Sequence, residues 1–155
     1  MIKIRLSKGR DVTKGIQVSS KGYVRVFVED GVHTDPKTGA RVDMVELAKA
    51  NHFGTARIPA RPFLDDAIRE NWPDVKKAIT SSMVWRFKGL KADVQFAFAA
   101  NEIVHIVRQF ILDGTYYRSV APNAQTTIDN KQGDIPLLHT GQLVDHIVGE
   151  YVQLG

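Results

Sequence analysis

Cysteine is absent from all 155 residues of this sequence. Its absence excludes disulfide scaffolds, thiolate zinc sites and cysteine nucleophiles, so packing must supply the stability of the fold. Long apolar runs are absent as well, since no stretch approaches the roughly 18 residues of a membrane helix. The first residues, MIKIRL, alternate charged with apolar side chains. We therefore expect neither a membrane segment nor a secretory signal.

Motifs that are typical of enzymes are also missing. The sequence contains no Gly-x-Ser-x-Gly nucleophile elbow, no Gly-x-x-x-x-Gly-Lys phosphate loop and no Gly-x-Gly-x-x-Gly dinucleotide fingerprint. Its histidines show neither a His-x-x-x-His pair nor a carboxylate at a metal-ligand spacing. The adjacent Asp65 and Asp66 cannot converge on one bond, because neighbouring helix positions point about 100° apart, and we interpret them as charge at a helix N-terminus. We therefore expect no catalytic residue, no metal and no cofactor.

What is present is the composition of an ordinary globular domain. Hydrophobic residues make up 43% of the chain and charged residues 25%, whereas disordered chains are poorer in apolar residues. No internal repeat, low-complexity tract or linker divides the sequence. We predict a single α+β domain over residues 1–155, with a small antiparallel or mixed β-sheet packed by two to four helices, one of them long and central.

The chain is basic, with a formal net charge of +4 and a pI near 9.4. Lysine and arginine are spread along it and are densest at residues 76–77 and 86–88. Such groups are usually a solvated helix face, although they would also suit a weak electrostatic contact with nucleic acid. A basic nucleic-acid-binding module is therefore one hypothesis for the function.

Two segments have the composition of strands. Residues 23–29, YVRVFVE, are β-branched and aromatic and precede a turn signal, and residues 149–153 alternate like a final strand. A polar turn is predicted at residues 34–39. The apolar positions in residues 42–48 suit a short helix or a strand equally well, and both interpretations stay open.

Apolar periodicity predicts helices in the second half of the chain. One helix begins after Pro62, and a second begins around Pro73, because proline is tolerated in a first helical turn, and ends near Gly89. The strongest signal predicts a long helix over residues 93–113 that stops at Gly114, and the polar residues 119–136 are predicted to form an exposed loop. A short helix is predicted within residues 140–147, with Leu143, Val144 and Ile147 buried.

The long helix has an unusually wide apolar face. Five apolar side chains form its main stripe: Phe96, Ala100, Ile103, Val107 and Phe110. Four further apolar residues widen the stripe: Phe98, Val104, Ile106 and Ile111. This width exceeds what one neighbouring layer needs, so the helix is either central or covered by another subunit.

The segment FGTARIPARPFL, residues 53–64, is the most informative part of the sequence. Its prolines fix φ and push the preceding residues into extended conformations. Residues 58–62 are therefore predicted to be a stiff, non-helical segment that leads into a helix. Four side chains are expected to anchor this segment in the core: Phe53, Ile58, Phe63 and Leu64. Arg57 and Arg61 would then be displayed for pairing with carboxylates on a neighbour. A second interpretation of the segment is an ordinary loop with two solvated arginines.

This segment, followed by PLLHTGQL at residues 136–143, resembles the paired signatures of tailed-bacteriophage neck, tail-completion and virion-morphogenesis proteins. In that family the first motif leads into a helix, and the second opens a short helix before a terminal strand. The chain departs from the pattern at His139, where an acid is common, and in lacking the long opening helix of many members. The resemblance implies a small α+β subunit of a head-to-tail ring, commonly a hexamer, around the channel through which the genome passes.

The resulting hypothesis is a non-enzymatic virion protein of the neck, made in the host cytoplasm, that joins head and tail or completes the tail. Its expected partners are its own copies, a portal or head-completion connector protein, tail terminator, tail tube or sheath proteins, and packaged DNA through non-specific contact. The subunit interface is assigned to these residues: Arg57, Ile58, Pro59, Arg61, Pro62, Phe63, Thr140, Gly141 and Leu143. A tail terminator ring is a competing hypothesis, and so is a small hydrolase with an unrecognised site.

Overall fold

The structure, a computed structural model, describes the following parts of the chain: residues 3–6, 12–19, 21–35, 37–86, 89, 91–113, 122, 129 and 141–154. The strands in these parts are β1 (Lys3–Leu6), β2 (Thr13–Ser19), β3 (Gly22–Val28), β4 (Val32–Thr34), β5 (Arg41–Asp43) and β6 (Ile147–Gln153). The helices are α1 (Met44–Phe53), α2 (Phe63–Glu70), α3 (Trp72–Arg86), α4 (Ala92–Leu112) and α5 (Gln142–Asp145). The predicted α+β class is confirmed.

An antiparallel sheet of four strands forms one layer, in the order β1-β2-β3-β6. Strand β3 pairs with β2 on one side and with β6 on the other, which confirms both strands predicted from the sequence. Buried and half-buried residues alternate strictly along β3, because Val24, Val26 and Val28 face the core. The layer therefore presents an apolar face for helices to cover.

Strands β4 and β5 form a separate antiparallel hairpin. Strand β5 runs directly into α1, whose N-cap residue Asp43 accepts a hydrogen bond from the backbone N–H of Glu46 at 3.0 Å. Residues 42–48 were predicted to be either a short helix or a strand, and they contain parts of both, because the strand ends at Asp43 and the helix begins at Met44. The predicted helix stop at Gly114 lies outside the described residues, as does most of the loop predicted at residues 119–136.

Helix α4 contacts β3 and β6 of the sheet and also packs against the helices α2 and α3. Its predicted main stripe is buried, as are Val104 and Ile111 of the wider set. A central position therefore accounts for much of the width of the apolar face. It does not account for Phe98, whose side chain is 64% exposed.

The backbone of α4 comes close to the sheet at Gly149 of β6. A Cβ at this position would lie 2.8 Å from Cγ2 of Val104 and 3.0 Å from the carbonyl oxygen of Ala100. Next to it, the guanidinium of Arg108 donates hydrogen bonds to the carbonyl oxygens of Ile147 and Asp145. The helix thus holds the start of the last strand in place.

Within the described residues, none of the helices combines the length and apolarity that a membrane-spanning segment requires.

Phe96→Ala should lower the free energy of unfolding by about 3–5 kcal/mol, because removing a buried aromatic ring leaves a cavity in the core. Phe98→Ala, two positions further along the same helix, should leave the free energy of unfolding nearly unchanged, because its ring is largely exposed. Urea denaturation at a protein concentration that keeps the chain monomeric measures the contrast. Equal losses in the two variants would show that Phe98 is packed within the chain.

Candidate subunit interface

Residues 54–62, which we call the arm, connect α1 to α2 without helix or strand, as the prolines predict. The arm begins at Gly54 with φ 75° and ψ 170°, a conformation that is essentially restricted to glycine. A Cβ here would lie 2.7 Å from the backbone nitrogen of Ala60 and 2.9 Å from the carbonyl oxygen of Ile58. The chain therefore folds back against its own start and forms a closed loop.

Hydrogen bonds to Thr55 fix the tip of the arm. The backbone N–H of Thr55 donates to the carbonyl oxygen of Ile58 at 2.7 Å. The Thr55 hydroxyl accepts from the backbone N–H groups of Arg57 at 3.2 Å and Ile58 at 3.0 Å, as in the turns that Ser and Thr stabilise. Arg57 is therefore presented from a defined turn, and its side chain is exposed.

The base of the arm is held by a second set of backbone bonds. The N–H of Arg61 donates to the carbonyl oxygen of Asn51 at 2.7 Å, and the N–H of Phe63 donates to the carbonyl oxygen of Arg61 at 2.7 Å. Pro62, with φ −74° and ψ 62°, is the central residue of this inverse γ-turn. The turn directs the chain into α2, where Phe63 and Leu64 are fully buried.

The predicted interface residues differ widely in exposure. Two of them are exposed, namely Arg57 and Pro59. Three are half-buried, namely Ile58, Pro62 and Gly141. Three are buried, namely Arg61, Phe63 and Leu143. The structure brings together the members that belong to the arm. Thr140 lies outside the described residues.

The prediction that Arg61 is displayed at the surface is wrong. Arg61 is 3% exposed, and its Nη2 donates to the carbonyl oxygen of Pro122 at 3.1 Å. A guanidinium carries five donors and no acceptor, so a backbone carbonyl oxygen is a suitable buried partner. Arg61 therefore fastens the base of the arm to a distant part of the chain, which leaves Arg57 as the arginine that a neighbour can reach.

The prediction that Phe53 pins the arm to the core is also wrong, because its side chain is 58% exposed. The inward position belongs to the preceding residue, His52, which follows Met44 and Ala48 on the buried face of α1 at intervals of four. The ring of His52 packs edge-on against the ring of Phe63, with centroids 5.2 Å apart. This spacing of four residues indicates a buried position for His52, which the sequence analysis did not predict.

A polar cluster of Lys14, His52 and Asp65 joins strand β2, the end of α1 and the start of α2. The Asp65 carboxylate pairs with Nζ of Lys14 on β2 and contacts Nε2 of His52 at 3.2 Å. Burial lowers the pKa of His52, the Asp65 carboxylate opposes this effect, and the Lys14 charge adds to it. His52 is therefore neutral at pH 7 and donates its Nε2–H to Asp65. Its buried Nδ1 has no hydrogen-bond partner in the described part of the chain.

A second surface feature is a groove between α3 and α4, with a volume of about 770 Å³. Apolar and small side chains line it: Ala78, Ser81, Ser82, Val94, Phe98 and Ile106. Three exposed charged side chains line it too: Asp74, Lys77 and Glu102. The groove contains Val94 and Phe98, two apolar side chains of α4 that the described residues leave exposed.

Comparison of the chain with protein-family models, with curated proteins and with solved structures found no match. Among the residues that the structure describes, no group of three or more histidine, aspartate or glutamate side chains is placed to hold a metal ion. What the chain does must therefore be inferred from the arm, the groove and the motif that forms the arm.

Charge reversal should separate the two arginines of the arm. Arg61→Glu should lower the free energy of unfolding by about 3 kcal/mol or more, because it places a carboxylate in a buried site that faces a carbonyl oxygen. Arg57→Glu should leave the free energy of unfolding nearly unchanged, because this side chain is exposed. Chemical denaturation followed by circular dichroism measures both. A comparable loss in Arg57→Glu would contradict the assignment of Arg57 to the free surface.

The stability of the chain should fall as the pH drops below 6.5, the ordinary pKa of histidine. Because the pKa of His52 is lowered in the folded chain, the unfolded chain binds this proton more readily and acid favours unfolding. His52→Gln removes the titrating ring and keeps a donor for Asp65, so the variant should lose this part of the pH dependence. Urea denaturation from about pH 7.5 to about 5.5, where most carboxylates stay charged, measures it. Parallel profiles for the two proteins would assign the effect to another group.

Proposed function

We propose that this chain is a structural subunit of the neck of a tailed bacteriophage, a ring-forming protein that joins head and tail or completes the tail. The observation that carries the proposal is that the motif of the resemblance, FGTARIPARPFL, forms a hydrogen-bonded surface arm. Rigid loops that present an arginine and exposed apolar side chains are typical of binding surfaces. No reaction is proposed for the chain.

The uncovered part of α4 supports an assembly role independently of the motif. A contiguous exposed apolar surface on a folded chain usually marks a contact with another molecule. Phe98 and Val94, which lie four residues apart on α4, are both exposed in the groove. In a ring, repeated heterologous contacts between copies would cover such a surface on every subunit.

The proposed partners of the chain are those that the resemblance implies. Copies of this chain form the ring, commonly a hexamer, and a portal or head-completion connector protein lies on the head side. Tail terminator, tail tube or sheath proteins lie on the tail side, and the net charge of +4 suits non-specific contact with DNA in the channel. The location in the virion follows from these contacts.

A tail terminator ring is the second candidate, because the arm and the groove would serve a ring at either end of the same junction. The two roles differ in the first partner that the ring binds. A neck subunit binds the connector of a filled head, whereas a terminator binds the end of a tail tube.

The purified chain should bind DNA-filled heads that lack a neck and should allow free tails to attach to them. Electron microscopy of the mixture, with the ring located by its added density, checks this outcome. Binding to tail tubes alone would favour the terminator role. Binding to neither particle, together with an affinity for duplex DNA that falls steeply with salt, would replace the proposal with a nucleic-acid-binding role.

A further inference from the structure

The arm and the groove have complementary shapes on the same chain. The arm is a convex loop that follows Phe53, the exposed last residue of α1. The groove is a concave surface between two helices, and it has room for an aromatic ring and its neighbours. A protruding loop and a groove can fit each other, which favours a contact between the unlike surfaces of two copies.

The apolar parts of the two surfaces match. Phe53 is 58% exposed beside the arm, while Phe98 and Val94 are exposed in the groove. An aromatic ring that is buried in an apolar pocket at the centre of an interface commonly contributes much of the binding energy. Because hydrogen bonds already fix the arm, docking it would cost little conformational entropy.

The charges match as well. Among the described residues, no carboxylate pairs with Arg57 on the arm, and no cation pairs with Asp74 or Glu102 in the groove. Lys77 also lines the groove, so its lining carries two acidic side chains against one basic one. A guanidinium can bind a carboxylate through two parallel hydrogen bonds, which fixes orientation as well as adding affinity.

We propose that the arm of one copy docks in the groove of the next copy, with Phe53 against Phe98 and Arg57 beside Glu102 or Asp74. This contact rests on the proposed ring-forming function and specifies how its subunits join. It is heterologous, so each copy has one arm to give and one groove to fill, and repetition closes a ring when the rotation between copies allows it.

Cross-linking can test the contact in a chain that has no cysteine of its own. Ala60→Cys on the arm and Lys77→Cys in the groove leave Phe53, Arg57 and Glu102 intact. A short bis-maleimide reagent should link the double variant into dimers, trimers and larger multimers. The matched control combines Ala60→Cys with Lys37→Cys, an exposed lysine of the β4–β5 hairpin, and should give no such series.

A mixing experiment tests the head-to-tail direction. Arg57→Glu combined with Phe53→Asp disables the arm, and Phe98→Asp disables the groove. The wild-type chain should form rings, and each variant alone should be monomeric. An equimolar mixture of the two variants should form a dimer of one copy of each and nothing larger. Sedimentation velocity measures the masses, and circular dichroism confirms that both variants fold.

The results of these experiments test the arm–groove contact and the proposed neck function independently. If the cross-linked series is no stronger than in the control, or if both variants still form rings, the arm does not dock in the groove. Binding of the wild-type chain to heads would then leave the neck role standing with another subunit contact. Multimers and mixed dimers without binding to heads or tails would instead support the contact and overturn the neck role.

Discussion

The packing of α4 against the β3–β6 part of the sheet is the constraint on which the rest of the structure depends. Gly149 allows the helix backbone to approach the last strand, and the ring of Phe96 lies on Tyr151 with centroids 4.9 Å apart. Arg108 adds hydrogen bonds to the carbonyl oxygens at the start of β6. Once one face of α4 is committed to the sheet, α2 and α3 must pack on its remaining sides, and the groove is the strip that they leave open.

The arm depends on a different set of contacts, which are mostly polar. His52 at the end of α1 and Asp65 at the start of α2 bring the two ends of the arm together, and Lys14 on β2 joins them to the sheet. Arg61 fastens the base to the carbonyl oxygen of Pro122. Buried groups thus fix the base of the arm, and the exposed Thr55 fixes its tip. In the proposed subunit contact, these groups would supply rigidity and the exposed Arg57 would supply recognition.

The sequence predicted the helices α2, α3 and α4 and the strand β3 because each of them carries a clear apolar period. It did not predict β2, whose inward positions begin with Lys14, a residue type that is rarely buried without a partner. Likewise, the stiff arm followed from its prolines, but the orientation of its two arginines did not. Arg61 turns inward because of a carbonyl group 61 positions away in the sequence, and no local pattern reports such a contact.

The pairing of β3 with β6 has a consequence for the biogenesis of the chain. Residues in register in these strands, such as Arg25 and Glu150, are separated by 125 positions. Contacts of such long range form slowly, and on the ribosome β3 must wait until β6 has been synthesised. Until then β3 has an open edge that can recruit strands from other nascent chains. Strand β3 therefore needs the protection of cellular chaperones from the time it is synthesised until β6 has emerged from the ribosome to pair with it.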